Sequence, residues 1–158
     1  MGLITTCSAR TDLGRKRTLN EDSYVVQEEN HLFVVADGMG GHAAGEVASA
    51  MAVETIGDFF ALTNSSEDIT WPFEIDENLP IEANKLKTAI RLANRNIHRS
   101  AIEQHRLEGM GTTIVGVTVM PEQNRVCVGH VGDSRAYLVR EGELWSLTTD
   151  VSSPVASE

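Results

Sequence analysis

Leu32-Phe33-Val34-Val35-Ala36 is an unbroken apolar run that ends on Asp37, and three glycines follow within four positions. β-Branched and aromatic residues dominate the run and glycine ends it, which predicts a buried strand. Small residues then fill 43–62, where Ala48, Met51, Ala52, Ile56 and Phe59 share one face of a predicted helix. Residues 63–80 are polar and acidic, with Trp71 and Phe73 as isolated apolar anchors, and read as a surface loop. Pro80 opens a second helix to about His105, striped by Leu86, Ile90, Ala93 and Ile97.

The remaining pattern predicts strands. Residues 3–10 alternate loosely and read as a strand, followed by a basic loop over 11–20. Ser23 to Gln27 predicts another, joined through a Glu28-Glu29-Asn30 turn to the strand ending at Asp37. After Gly109-Met110-Gly111 come strands near 112–119, 125–131 and 135–140, then a short one over Leu144–Leu147. Strands grouped in meanders, with the helices between the groups, predict an α+β fold of antiparallel sheets covered by helices.

The 158 residues suggest one domain with room for a real core. The net charge of −10 sets aside a protein that grips a nucleic-acid backbone, which would show a basic face. No apolar run approaches a membrane span, and no basic segment followed by an apolar one marks a secretory signal. Cys7 and Cys127 lack metal-ligand spacing and read as reduced thiols of a cytoplasmic protein.

Three carboxylates share a setting. Asp22 follows Glu21 at a strand entrance, Asp37 ends an apolar strand, and Asp133 ends another beside Gly132. Antiparallel strand ends converge, so these groups can share a cleft. Carboxylates gathered without cations repel and raise one another's pKa; divalent ions remove that penalty, activate a water and clamp a phosphoryl group. An oxygen-rich corner of carboxylates and the Gly38 carbonyl suits magnesium, manganese or calcium. Arg17 is placed to fork onto a phosphate.

Blander readings compete at every position. Asp-Gly and Gly-Asp-Ser are common turns, and Arg17 beside Arg15 and Lys16 is an ordinary loop charge. His42 serves equally well as a hydrogen bonder at a helix start, His130 reads as a core histidine, and His31, His98 and His105 read as surface residues. Gly38-x-Gly40-x-x-Ala43 imitates a dinucleotide fingerprint, but Asp37 would set a charge against the pyrophosphate and no ribose-binding strand follows. Other phosphatase chemistries lack their residues. Six positions after the cysteines stand Leu13 and Asp133 rather than arginine, and G-x-S-x-G and the P-loop are absent.

Four ordered motifs remain: Arg17-Thr18-Leu19-Asn20-Glu21-Asp22, Val35-Ala36-Asp37-Gly38-Met39-Gly40-Gly41-His42, Gly109-Met110-Gly111-Thr112-Thr113 and Val131-Gly132-Asp133-Ser134-Arg135-Ala136-Tyr137. Together they resemble the metal-dependent type 2C serine/threonine protein phosphatases in their bacterial form, over about Thr5 to Asp150. The resemblance implies two antiparallel sheets packed face to face with helices outside. It also implies hydrolysis of phosphoserine and phosphothreonine on proteins by water between two manganese or magnesium ions. Asp37 would bridge the ions and Gly38 would bind one through its carbonyl. Glu21 and Asp22 would hold a metal or its waters, Arg17 the substrate phosphate, and Asp133 a weaker third metal. Met39 stands where animal members carry a proposed acid, so no general acid is assigned. The implied partners are phosphorylated proteins, with a serine/threonine kinase and its substrates.

One departure counts against full activity. The resemblance implies that the family continues for roughly another half-length, through a second Asp-Gly and a late Asp-Asn pair that supply metal ligands. The resemblance breaks after Asp150, and 151–158 reads as a divergent tail. The implied consequences are a site short of ligands, weakened catalysis and sheet edges prone to aggregation. The alternative is a non-catalytic remnant that binds a partner or phosphopeptide. Metal stoichiometry and turnover separate the two.

Overall fold

The computed structural model describes residues 4–40, 44–65 and 70–151. Strands β1 (Asp22–Gln27) and β2 (Leu32–Met39) form a hairpin closed by a single 3-10 turn over Glu28–Asn30. Helices α1 (Ala44–Ser65) and α2 (Ile81–Glu103) follow, then β3 (Gly111–Thr112), β4 (Ile114–Met120) and β5 (Arg125–Val131). The main sheet runs β1-β2-β4-β5, and β3 pairs with the far end of β2. Strands β6 (Tyr137–Arg140) and β7 (Glu143–Ser146) make a separate two-stranded sheet. All pairings are antiparallel, so the molecule is α+β, as its strand meanders predict.

The alternation of β2 divides the main sheet into two unlike faces. Leu32, Val34 and Ala36 point toward the helices and are buried, whereas Val35, Asp37 and Met39 point away and are exposed. The register extends both faces across the sheet. Val25 and Gly116 flank Val34 on the helix face, and Tyr24 and Val115 flank Val35 on the open face.

Small residues let the helices come close. Along α1, Ala44, Gly45, Ala48, Ser49, Ala52, Val53, Ile56 and Gly57 form the buried side. Glycines Gly116 and Gly129 are opposite one another in β4 and β5, and Leu86 of α2 sits in the dent they leave. A Cβ on Gly116 would come within 2.8 Å of the Leu86 side chain. The start of α2 is fixed by buried Asn84. Its amide donates to the carbonyls of Asp76, Leu79 and Pro80 and its oxygen accepts from the Asp76 amide, so four backbone groups hang on one side chain.

Several sequence expectations need correction. Described residues 4–10 form no strand and are mostly exposed. Their alternation sets threonine, serine, cysteine and alanine against one another, and Ile4 is 90% exposed, so a strand there would bury too little to hold. The strand expected over 112–119 is broken at Thr113, which turns to bond the backbone of Asp37. The one expected from 135 starts at Tyr137 and leaves the main sheet. Helix α1 continues to Ser65, into the predicted loop. His31 is half-buried in a left-handed conformation (φ 51°) rather than lying free on the surface. His130 lies on the open face, where its Nε2 is 2.7 Å from the Thr149 carbonyl oxygen. Gly41, His42 and the divergent tail over 152–158 lie outside the described residues.

Candidate active site

The open end of the β1–β2 hairpin brings two carboxylates face to face. Asp22 and Asp37 are register partners on neighbouring strands, which sets their side chains side by side on the open face. Burial, and then the neighbouring Asp22, push the Asp37 carboxyl above its ordinary range. Arg17 pulls it back and Asp133 adds a smaller upward push. Three residues singled out in the sequence, Asp22, Arg17 and Asp133, therefore act on a fourth, Asp37. Glu21 is turned elsewhere. It precedes Asp22 and its carboxylate rests against Gly45 in the first turn of α1, where unpaired helix amides favour an anion. Arg17 spans the two sides, with its guanidinium 3.5 Å from Glu21 Oε2.

Gly38 is where the strand mouth and the helix touch. Its amide donates to the Glu21 carbonyl at 3.0 Å, and a side chain there would collide with the Gly45 carbonyl. Backbone meets backbone, which only glycine permits.

Sequence reasoning overlooked the groups that fix this corner. Buried Thr113 accepts the Asp37 amide on Oγ1 at 3.1 Å and donates its own amide to the Asp37 carbonyl at 2.9 Å. The same Oγ1 lies 2.6 Å from Ser134 Oγ, so one hydroxyl joins the Asp37 strand to the Asp133 turn. A threonine ending a glycine-rich run, and needing a partner if buried, was the available signal. The turn itself uses Gly132 at φ +96°, a conformation that favours glycine. Residues 148–151 hold it from behind. Arg135 forks onto Asp150 with bonds of 2.9 and 2.7 Å, and the Val151 amide donates to the Gly132 carbonyl.

Asp22, Tyr24, Val35, Asp37 and Ser134 line a cleft of about 240 Å³, and Arg10 reaches it from the irregular N-terminal segment. Arg10 is a second cation at the mouth that the pattern did not flag. The donor chemistry fits a hard divalent ion, because two facing carboxylates, with the Asp37 carboxyl pushed up, lose their repulsion when a cation joins them. The number of donors is small. Among the described residues no three histidine, cysteine, aspartate or glutamate side chains gather as a metal cage. Further oxygens would have to be water, substrate or additional protein.

The family profile described as Protein phosphatase 2C matches residues 14–158. The chain belongs to the protein phosphatase 2C family. It is 40% identical over 148 residues to the serine/threonine protein phosphatase PstP of Mycobacterium tuberculosis, covering 94% of this chain and 25% of that protein. Against the serine/threonine phosphatase stp of Listeria monocytogenes it is 39% identical over 150 residues, covering 90% and 53%. The PstP catalytic domain, solved in complex with 2 manganese ions, superposes with a TM-score of 0.72 at 36% identity, over 90% of this chain and 54% of that one. The chain thus spans about a quarter to a half of the relatives it matches. Among the described residues no helix is long and apolar enough to cross a membrane.

Proposed function

We propose that this chain carries the phosphate-binding and metal-binding half of a protein serine/threonine phosphatase site. The facing Asp22 and Asp37 carboxylates carry the reading, supported by the manganese-bound relative. Asp37, Asp22 and the Gly38 carbonyl would hold two manganese or magnesium ions, Glu21, turned toward the first turn of α1, would reach them through bound water, and Asp133 would hold a weaker third. When bound, the ions supply an activated water and a charge clamp for the phosphoryl group. The chain's own residues do the positioning. Arg17 and Arg10 draw the phosphate monoester into the cleft, Thr113 holds the Asp37 backbone, and Tyr24 and Val35 give the substrate an apolar wall. Phosphoserine and phosphothreonine segments of proteins, including a kinase and its targets, are the proposed substrates. A cytoplasmic setting accords with the free thiols Cys7 and Cys127.

Turnover by this chain should be weak, because among its described residues only Asp22 and Asp37 face one another directly. The test is manganese-dependent hydrolysis of p-nitrophenyl phosphate, with calorimetric titration of manganese, in wild type and Asp37→Ala. Metal-dependent turnover that Asp37→Ala abolishes supports the reading. Manganese binding without turnover favours a non-catalytic remnant. Neither binding nor turnover by a folded chain rejects both.

A further inference from the structure

Helix α2 is basic in an acidic molecule. Of the 13 lysines and arginines, five stand on it against only Glu82 and Glu103. Lys87, Arg91, Arg95 and Arg99 recur every four residues and are exposed, so they form one stripe on successive turns. The outer two are answered, Lys87 by Asp76 at 3.7 Å and Arg99 by Glu103 at 2.7 Å. The inner two meet no carboxylate among the described residues. Instead both lie over the Phe73 ring, in the loop between the helices, with their guanidinium carbons 4.3 and 5.4 Å from the ring centroid.

That arrangement holds two like charges one turn apart, which is unfavourable unless an anion joins them. The ring accepts no conventional hydrogen bond, and neither guanidinium donates one to a described side chain or backbone group, so their N–H groups stay free for an acceptor. The ring also restrains both side chains, so less freedom is lost when an anion arrives. Exposed Ile75 and Leu79 lie on the same loop as an apolar margin.

We propose that Arg91, Arg95 and Phe73 form a docking clamp for an acidic segment of a partner polypeptide, on the opposite side of the main sheet from Asp22 and Asp37. A rise of roughly 6 Å between the two arginines matches one or two anionic side chains rather than a long polyanion. A nucleic acid or a uniformly anionic lipid surface would extend past the clamp onto the rest of a chain whose net charge is −10, whereas a short acidic segment meets the basic stripe alone. The clamp does not depend on the phosphatase reading.

The test is fluorescence anisotropy of a labelled ten-residue glutamate-rich peptide with the whole chain, in EDTA so that metal chemistry is silent. A serine-phosphorylated version distinguishes carboxylate from phosphate as the preferred anion. Saturable binding is expected, weakened about tenfold or more by Arg91→Gln with Arg95→Gln, since each removes a charge-assisted bond. Phe73→Leu should weaken it about threefold through the lost ring contact. Arg140→Gln, an exposed charge elsewhere, should leave binding unchanged. The proposal is overturned if neither peptide binds, if the double variant binds as wild type while melting normally, or if Arg140→Gln weakens binding as much. Tighter capture by phosphatidylglycerol vesicles than by either peptide also overturns it.

Discussion

The two faces of the main sheet are built from the same strands and serve different ends. On the helix side, Val34 is 2% exposed and packs among residues of α1 and α2. One residue later on the open side, Val35 is 49% exposed and lines the cleft with Asp37. Stability therefore resides on one face and chemistry on the other. The alternation along a strand separates them without any extra structure. Residues of the first face answer to volume, and those of the second to charge and oxygen donors.

The strongest challenge to that division is a large cavity on the helix side. Phe60→Ala, at a ring only 1% exposed, should cost about 4 kcal/mol, read as a fall in the urea midpoint. An equal cost at any open-face residue would erase the distinction. Next comes the joint between the faces. Thr113→Val removes the hydroxyl shared by Asp37 and Ser134 and should cost about 2 kcal/mol. It should also weaken manganese binding in calorimetry, which a purely structural role would leave intact. The adjacent pair sharpens the comparison further. Val34→Ala should cost about 2 kcal/mol and Val35→Ala less than about 1 kcal/mol in the same denaturation series.

The smallest effect has the opposite sign on the two faces. Asp37 is raised in the fold by burial and by Asp22, so its ionised form is disfavoured there and costs stability at neutral pH. Asp37→Asn should raise metal-free stability by about 0.5 kcal/mol, after discounting for solvent screening, while abolishing the rise in Tm that manganese gives wild type. Asp76 is lowered, first by the Asn78 amide and then by its side chain, beside the α2 start. Its contribution is complete above the ordinary carboxylate range and is lost as pH falls through the depressed value. Wild type should therefore lose more Tm between pH 5 and pH 3 than Asp76→Asn does.

The sequence revealed what periodicity and motif order encode. Strand β2, the small-residue face of α1, the Leu86–Ile97 stripe of α2 and a shared cleft for Asp22 and Asp37 are legible because each depends on neighbours in sequence or on strand ends that converge. The 4–10 segment misled because alternation without bulk resembles a strand yet buries little. Thr113 was invisible in its role because its partners, Asp37 and Ser134, lie 76 and 21 residues away. Glu21 and Asp22, adjacent in sequence, were read as one acidic spot, yet strand geometry sends them to opposite faces. The Phe73 clamp went unseen because a lone aromatic in a polar loop gives no sign of what it will touch.

The contact between Gly38 and Gly45 has an evolutionary consequence. Neither position can gain even a methyl group unless the helix and strand move apart, and the carboxylates on both sides would move with them. Most of the protein can drift by exchanging one side chain for another and letting neighbours adjust. At Gly38 every close neighbour is backbone, so there is no side chain to exchange, whereas Gly45 is also closed by the movable Glu21 carboxylate. A saturation library should show Gly38 as a fixed point, where single substitutions fail and no second change nearby rescues them.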